Sequence, residues 1–128
     1  SPELKKRCEE EAIQNISYRP MWTKRNRTEP IAYQIEPKEL LPSIAELNGW
    51  EIYKKCEETN RVVYEPQFPN PICVTKEIAQ SMSDFNGTVE TFAEAGARHY
   101  IISKKMYEIL KSFKLRGLKC GPITIQSK

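Results

Sequence analysis

The chain has 128 residues, a formal net charge of +3, 39% hydrophobic and 29% charged residues. This composition is typical of one globular domain with a single core. No run of 18 apolar residues occurs, so we expect neither a membrane-spanning helix nor a membrane partner. The chain begins at Ser1 without a methionine, which indicates a trimmed or processed product. With no visible secretory signal we expect a cytoplasmic protein, and a secreted protein whose leader was removed is the alternative.

The first elements are predicted to be a helix and a strand. Ser1 has a capping hydroxyl and Pro2 suits the first helical position, so we expect a helix that runs to about Asn15. Residues 18–30 are rich in arginine and aromatic side chains and end at a proline, which predicts an irregular segment. Residues 31–35 alternate in the manner of a strand.

The middle of the chain is predicted to hold a short helix and a β-hairpin. The helix opens at Pro37, is interrupted by Pro42 and runs to Glu46 or Leu47. Residues 50–56 and 61–64 are strand-like and flank a polar tetrapeptide, which favours a hairpin. Residues 66–71 contain three prolines and predict a loop.

A strand and a helix are expected next, before a turn. Residues 72–74 predict a brief strand, and the hydroxyl of Thr75 can cap a helix over residues 76–82. We expect a turn at residues 84–87 and another helix over residues 88–95.

The C-terminal region has the clearest pattern, a strand, a helix and a strand. Residues 100–102 are an apolar run, and Ser103 is a good helix cap. One helical stripe is formed by Met106, Ile109, Leu110 and Phe113. Gly117 suits the left-handed position after the helix, and residues 118–126 predict a final strand. The whole chain, residues 1–128, is therefore predicted to be a single α+β domain with a mixed sheet, flanking helices and this C-terminal unit.

Charge is distributed unevenly along the chain. Residues 1–28 carry a net charge of +3, residues 29–96 carry −7, and residues 97–128 carry +7. One interpretation is a surface field that steers a charged partner. The other is that the ends and the middle neutralise each other in the folded protein.

The residues available for catalysis are few. His99 is the single histidine, the cysteines lack the close pairing of a zinc site, and no glycine-rich phosphate loop occurs. We therefore predict a protein without enzymatic activity, cofactor or metal. A thiol dyad of His99 with Cys73 or Cys120 is the catalytic alternative. Glu90 and Glu94 resemble a carboxylate pair, but solvated charges explain them better.

Cysteines and sequons raise a further alternative, a secreted disulfide-containing glycoprotein. The chain has four cysteines, Cys8, Cys56, Cys73 and Cys120, and three sequons, at Asn15, Asn26 and Asn86. Because a chain of this length does not need disulfides to be stable, we predict free thiols instead.

A basic segment with interleaved aromatic residues is a candidate nucleic-acid site. Its residues are Arg19, Trp22, Lys24, Arg25 and Arg27. Cations can bind phosphates while an aromatic ring stacks on a base. The alternative is a basic loop that Trp22 anchors into the core.

The C-terminal unit resembles a known family. Its sequence runs Tyr-Ile-Ile-Ser-Lys-Lys-Met-Tyr-Glu-Ile-Leu from Tyr100 and continues to Leu-Arg-Gly-Leu-Lys-Cys at Cys120. It is similar to the closing segment of immunity-type proteins of bacterial polymorphic toxin systems, including the double-CxxCG group, which end in a strand, a serine with a helix, a Leu-x-Gly turn and a last strand. The resemblance covers about 25 of 128 residues, and the paired CxxCG motifs are absent. It implies a non-catalytic protein that binds and blocks a cognate toxin, and it transfers no site residue.

Our leading hypothesis is accordingly a non-catalytic protein-binding module, with toxin neutralisation as its specific form. Glu57 and Glu58, beside the predicted hairpin turn, are the acidic residues that we expect to face a basic protein partner. A nucleic-acid-associated module that uses the basic residues 19–27 and the basic C-terminal segment is the alternative.

Overall fold

The computed structural model describes residues 1–25, 28–65, 71–92, 97–115 and 118–126. These residues form an α+β fold, as the sequence predicts. The helices are α1 (Pro2–Glu10), α2 (Ala45–Asn48), α3 (Lys76–Ser81) and α4 (Lys104–Ser112). The strands are β1 (Ile16–Met21), β2 (Ala32–Pro37), β3 (Glu51–Cys56), β4 (Arg61–Glu65), β5 (Cys73–Thr75), β6 (Phe85–Gly87), β7 (Thr91–Phe92), β8 (Tyr100–Ile102) and β9 (Thr124–Gln126).

The described strands form small sheets. β1 pairs with β2 antiparallel, β5 with β9 in parallel, and β6 with β8. The largest sheet is mixed, in the order β3-β4-β7, because β4 runs antiparallel to β3 and parallel to β7.

The chain divides into two compact units. Unit 1 comprises Ser1–Glu39, Ser83–Asn86 and Ile101–Leu118, and unit 2 comprises Leu40–Met82, Gly87–Tyr100 and Lys119–Lys128. Neither unit is a continuous stretch of sequence, so each combines segments that are distant along the chain. A single domain over residues 1–128 stays a prediction.

The core of unit 1 contains side chains from α1 and α4. Its buried members are Leu4, Cys8, Ile13, Ile16, Phe85, Met106, Ile109 and Leu110. The Ser1 hydroxyl accepts from the amide of Leu4 at 3.3 Å, and the Ser103 hydroxyl accepts from that of Met106 at 3.1 Å. Both predicted helix caps are thus confirmed, and so is the apolar stripe, since Met106, Ile109 and Leu110 of α4 are buried and Phe113, directly after the helix, is partly buried.

Two predictions for the N-terminal segment are wrong. Helix α1 ends at Glu10 rather than near Asn15, because Ala12 and Asn15 have left-handed backbones with φ of 53° and 61°. Residues 18–21 lie in strand β1, although their polar composition favoured an irregular segment. Pairing with β2 supplies the backbone hydrogen bonds that composition alone does not reveal.

Unit 2 contains the predicted β-hairpin. β3 and β4 pair from Glu51 opposite Glu65 to Cys56 opposite Arg61. Thr75 caps α3 as predicted, since its hydroxyl accepts from the amide of Ile78 at 3.2 Å. Buried apolar side chains of this unit include Leu41, Ile44, Ala45, Val63, Val74 and Phe92.

Other boundaries differ from prediction. Pro37 ends β2 instead of opening a helix, so only Ala45–Asn48 are helical before the left-handed Gly49, whose φ is 66°. The predicted turn at residues 84–87 contains strand β6.

The remaining differences between the predicted and observed elements lie in the second half of the chain. The start of the predicted helix over residues 88–95 contains strand β7, and residues 93–96 lie outside the described residues. The final strand is confined to Thr124–Gln126. Residues 66–70 of the predicted loop and Gly117 also lie outside the described residues, and Lys114, with φ of 49°, is the left-handed residue after α4.

None of the described helices is long and apolar enough to cross a membrane.

Candidate functional site

The predicted site residues that the structure describes lie on two hairpins, one in each unit. We call β3, β4 and the turn at residues 57–60 the edge hairpin, which belongs to unit 2. We call β1, β2 and the residues between them the basic hairpin, which belongs to unit 1.

Strand β3 of the edge hairpin is exposed along almost its whole length. The first five residues of β3 are all exposed, including Ile52 at 59% and Tyr53 at 68%. The register with β4 shifts between Ile52 and Lys54, so Tyr53 has no partner residue in that register. Among the strands of the described chain, β3 is at the edge of its sheet. Exposed apolar side chains on an edge strand mark a surface that another chain can pair with.

The turn of the edge hairpin carries the predicted acidic residues. Glu57 and Glu58 are both exposed, and Asn60 has a left-handed backbone with φ of 54°. Hydrogen bonds from the side chain and backbone of Thr59 lower the pKa of the Cys56 thiol. Sequence reasoning selected the two glutamates but missed Ile52 and Tyr53, because the sequence of β3 gives no sign of which residues the rest of the chain leaves uncovered.

The basic hairpin brings together four of its five predicted residues. Arg19 lies on β1, where its guanidinium is 3.7 Å from the Glu36 carboxylate and its side chain is 68% exposed. Trp22 directly follows β1 and is 49% exposed, so it is not an anchor buried in the core. Lys24 and Arg25 are exposed, and Arg27 lies outside the described residues.

Apolar side chains accompany these cations. Met21 and Ile31 are 49% and 54% exposed, and the amide of Ile31 donates to the carbonyl of Met21 at 2.8 Å, which closes the hairpin. The basic hairpin therefore exposes both apolar and cationic side chains. The sequence pattern did not identify Met21 or Ile31.

His99 is part of an aromatic cluster in unit 2. Its ring centroid lies 4.3 Å from that of Phe92 and 5.9 Å from that of Trp50. Burial lowers the pKa of His99. These contacts favour a packing role over the dyad with Cys73 or Cys120 considered from sequence.

Glu90 is a buried acid, so the expectation of a solvated charge is wrong for it. It is 3% exposed, and its carboxylate oxygens lie 3.0 and 3.3 Å from the amide nitrogen of Ile44, which donates to them. This bond satisfies a backbone donor at the start of α2. Glu94, the other half of the predicted pair, lies outside the described residues.

The asparagines of two sequons are engaged in the fold, and the third sequon asparagine, Asn26, lies outside the described residues. The side-chain amide of Asn15 donates to the carbonyls of Glu39 and Phe85 at 3.0 and 2.8 Å. Asn86 is 3% exposed and donates to Ser83 and Ile101. A glycan on either nitrogen would displace these bonds, which speaks against a glycoprotein modified at these positions. The structure has the four cysteines as free thiols.

Charge is shared between the units more evenly than along the sequence. Unit 1 carries thirteen basic and nine acidic residues, a net +4, and unit 2 carries seven basic and eight acidic, a net −1. The acidic stretch over residues 29–96 is divided between the two, which supports mutual neutralisation over a single acidic face. No group of three or more His, Cys, Asp or Glu side chains within the described ranges is placed to hold a metal ion.

No family model, curated protein or solved structure matches this chain.

Proposed function

We propose that the protein is a non-catalytic binding module that recognises another protein through its edge hairpin. The observation that carries the proposal is β3, an edge strand with exposed Ile52 and Tyr53. Large apolar side chains lose unfavourable contact with water when a partner covers them, and tyrosine is favoured at interfaces because its ring and hydroxyl both contribute.

Strand addition is the recognition mode that suits this surface. A partner segment would exchange backbone hydrogen bonds with the side of β3 that pairs with no described strand, while Ile52 and Tyr53 contact its side chains. Glu57 and Glu58 at the adjacent turn would favour a partner with basic residues, chiefly by speeding its approach.

The test is an affinity pull-down with the wild-type chain and the double variant Ile52→Ser/Tyr53→Ser as baits. We expect the wild type to capture a protein that the variant does not. Tyr107→Ser is the matched control, because Tyr107 is also an exposed aromatic residue, at 38%, but lies on α4 in unit 1. A partner held equally by all three baits would contradict the role of β3.

We also propose that this partner is a toxin, as the resemblance of residues 100–120 to immunity-type proteins implies. The expected behaviour is neutralisation, in which the partner arrests growth when expressed alone and growth returns with the wild-type chain. The variant Ile52→Ser/Tyr53→Ser should restore growth poorly, and Tyr107→Ser should restore it fully. A captured partner that is harmless when expressed alone would contradict the toxin proposal and leave protein binding in place.

The second candidate function is association with nucleic acid through the basic hairpin. The supporting observation is that Arg19, Trp22, Lys24 and Arg25 are exposed on one hairpin of the unit with net charge +4. Such binding should weaken steeply with salt, because counterions released from the phosphates oppose it.

Fluorescence anisotropy with single-stranded and duplex oligonucleotides at low salt tests this candidate. Trp22→Ala should weaken single-strand binding by about 1–3 kcal/mol if a base stacks on the indole. No change in anisotropy at high protein concentration would exclude it.

A further inference from the structure

Unit 2 contains a cavity with a buried acid in its wall. The cavity has a volume of about 310 Å³, and its lining includes Ser43, Arg61, Tyr64, Glu90 and Thr91. This volume is at the lower end of the range for small-molecule sites, about 300–1,000 Å³. The Glu90 carboxylate lies beside Ser43, because it binds the amide of the next residue, Ile44.

Both carboxylate oxygens of Glu90 are hydrogen-bonded to the same backbone amide. Glu90 is 3% exposed, and among the described residues its carboxylate accepts from one donor, the amide of Ile44. Among the described residues, the acids that form ion pairs are Glu9, Glu11 and Glu36, and Glu90 is not one of them. A carboxylate has about four acceptor sites, and a buried one is normally paired with a cation.

We propose that this cavity binds a cationic group, an alkylammonium or a guanidinium, whose N–H groups donate to Glu90. Tyr64 adds an aromatic ring on which a cation is favourable, and the hydroxyl oxygens of Ser43 and Thr91 are further acceptors. Arg61 also lines the cavity, and because it is exposed, water and salt screen its charge.

The cation can belong to a lysine or arginine side chain of a protein, or to a free small amine. Both sources carry a positively charged group with N–H donors for Glu90. The probes of the titration distinguish between them. Binding of a cation in this cavity is measured with small molecules, so the result is independent of strand addition at β3.

The experiment is an NMR titration of the ¹⁵N-labelled wild-type chain with two capped amino acids of similar shape. Nα-acetyl-lysine N-methylamide carries the ammonium, and the norleucine equivalent ends in a methyl group. We expect amide shifts at Ser43, Ile44, Glu90 and Thr91 with the lysine probe, and at least about tenfold weaker binding of the norleucine probe. Equal affinity for the two probes, or no shift with either, would overturn the proposal without any variant.

Two variants locate the charge. Glu90→Gln retains an acceptor for the amide of Ile44 but removes the carboxylate, and it should weaken lysine-probe binding by about tenfold. Glu46→Gln removes an exposed charge from the same unit and should leave binding unchanged. If Glu90→Gln bound as tightly as the wild type, the cation would not be paired with Glu90.

A third probe, n-butylammonium, identifies the source of the cation. If it binds at least as tightly as the lysine probe, the cavity suits a free amine. If the capped lysine binds more tightly, the flanking peptide groups contribute and the cavity suits a side chain of a protein. Each result supports the cationic site and assigns its ligand.

Discussion

At the scale of single residues, Leu110 should contribute strongly to the free energy of unfolding. It is 6% exposed in the core of unit 1, where Met106 and Ile109 are its buried neighbours on α4. We expect Leu110→Ala to lower the free energy of unfolding by about 2–5 kcal/mol, because the lost methyl groups leave a cavity. Urea denaturation measures this, with Leu115→Ala as the control, since Leu115 is 41% exposed. A midpoint equal to that of the wild type would show that Leu110 is not part of the core.

The lowered pKa of His99 should make the stability of the protein depend on pH. Burial lowers its pKa in the folded protein below the unfolded value of 6.5, so the folded state binds the proton less readily. Stability from this group is therefore complete above pH 6.5 and is lost as the pH falls from 6.5 to the lowered folded pKa.

The measurement is urea denaturation of the wild type and His99→Gln at pH 7.5 and 5.5. The wild type should lose more stability between these values than the variant, because His99 is the single histidine of the chain and no other side chain has its ordinary pKa in that range. Equal losses in both proteins would show that His99 titrates as it does in the unfolded chain.

At the scale of elements, the start of α4 depends on one hydroxyl. The Ser103 oxygen accepts from the amide of Met106 at 3.1 Å, which satisfies one of the free donors of the first helical turn. Ser103→Ala should lower the free energy of unfolding by about 0.5–2 kcal/mol, and Ser103→Asp should restore most of it because aspartate caps equally well. Thermal denaturation of the three proteins decides this, and identical transitions would mean that the cap contributes nothing.

The turn of the edge hairpin is the element that should control the rate of association. Glu57 and Glu58 are exposed beside the β3 strand, so reversal of both charges to lysine should leave the fold intact. Against a basic partner, we expect the association rate at low ionic strength to fall by about tenfold and the dissociation rate to change less.

Surface plasmon resonance with the captured partner measures both rates. Glu10→Lys/Glu108→Lys is the control reversal in unit 1, where both residues are also exposed. An unchanged association rate for the turn variant would remove Glu57 and Glu58 from the binding surface.

At the scale of the whole molecule, the discontinuous units make the chain difficult to divide. Fragment 1–100 lacks α4, so Leu4, Cys8 and Ile16 lose the buried side chains that Met106, Ile109 and Leu110 supply. We expect this fragment to show poor amide dispersion in a ¹H–¹⁵N spectrum, whereas fragment 1–126 should retain the spectrum of the full chain. A well-dispersed spectrum for fragment 1–100 would show that unit 1 does not require α4.

Local signals were enough to place the capped helices and one hairpin. The hydroxyls of Ser1, Thr75 and Ser103 cap helices where the sequence predicts caps, because capping is a contact over three residues of chain. The stripe of α4 and the β3–β4 hairpin are also short-range patterns. The α+β class follows from these elements and was predictable for the same reason.

Tertiary contacts determined the other strands and the exposure of the candidate site residues. Residues 91–92 form a strand because β4, which is distant in the sequence, pairs with them, and residues 18–21 form one because β2 pairs with them across the intervening residues. The candidate sites have the same origin. Sequence alone identified the charged residues Arg19, Lys24 and Arg25, and the two glutamates of the turn. The exposure of Ile52 and Tyr53, and the burial of Glu90 beside a cavity, depend on which segments cover them, and no neighbouring residue in the sequence encodes that.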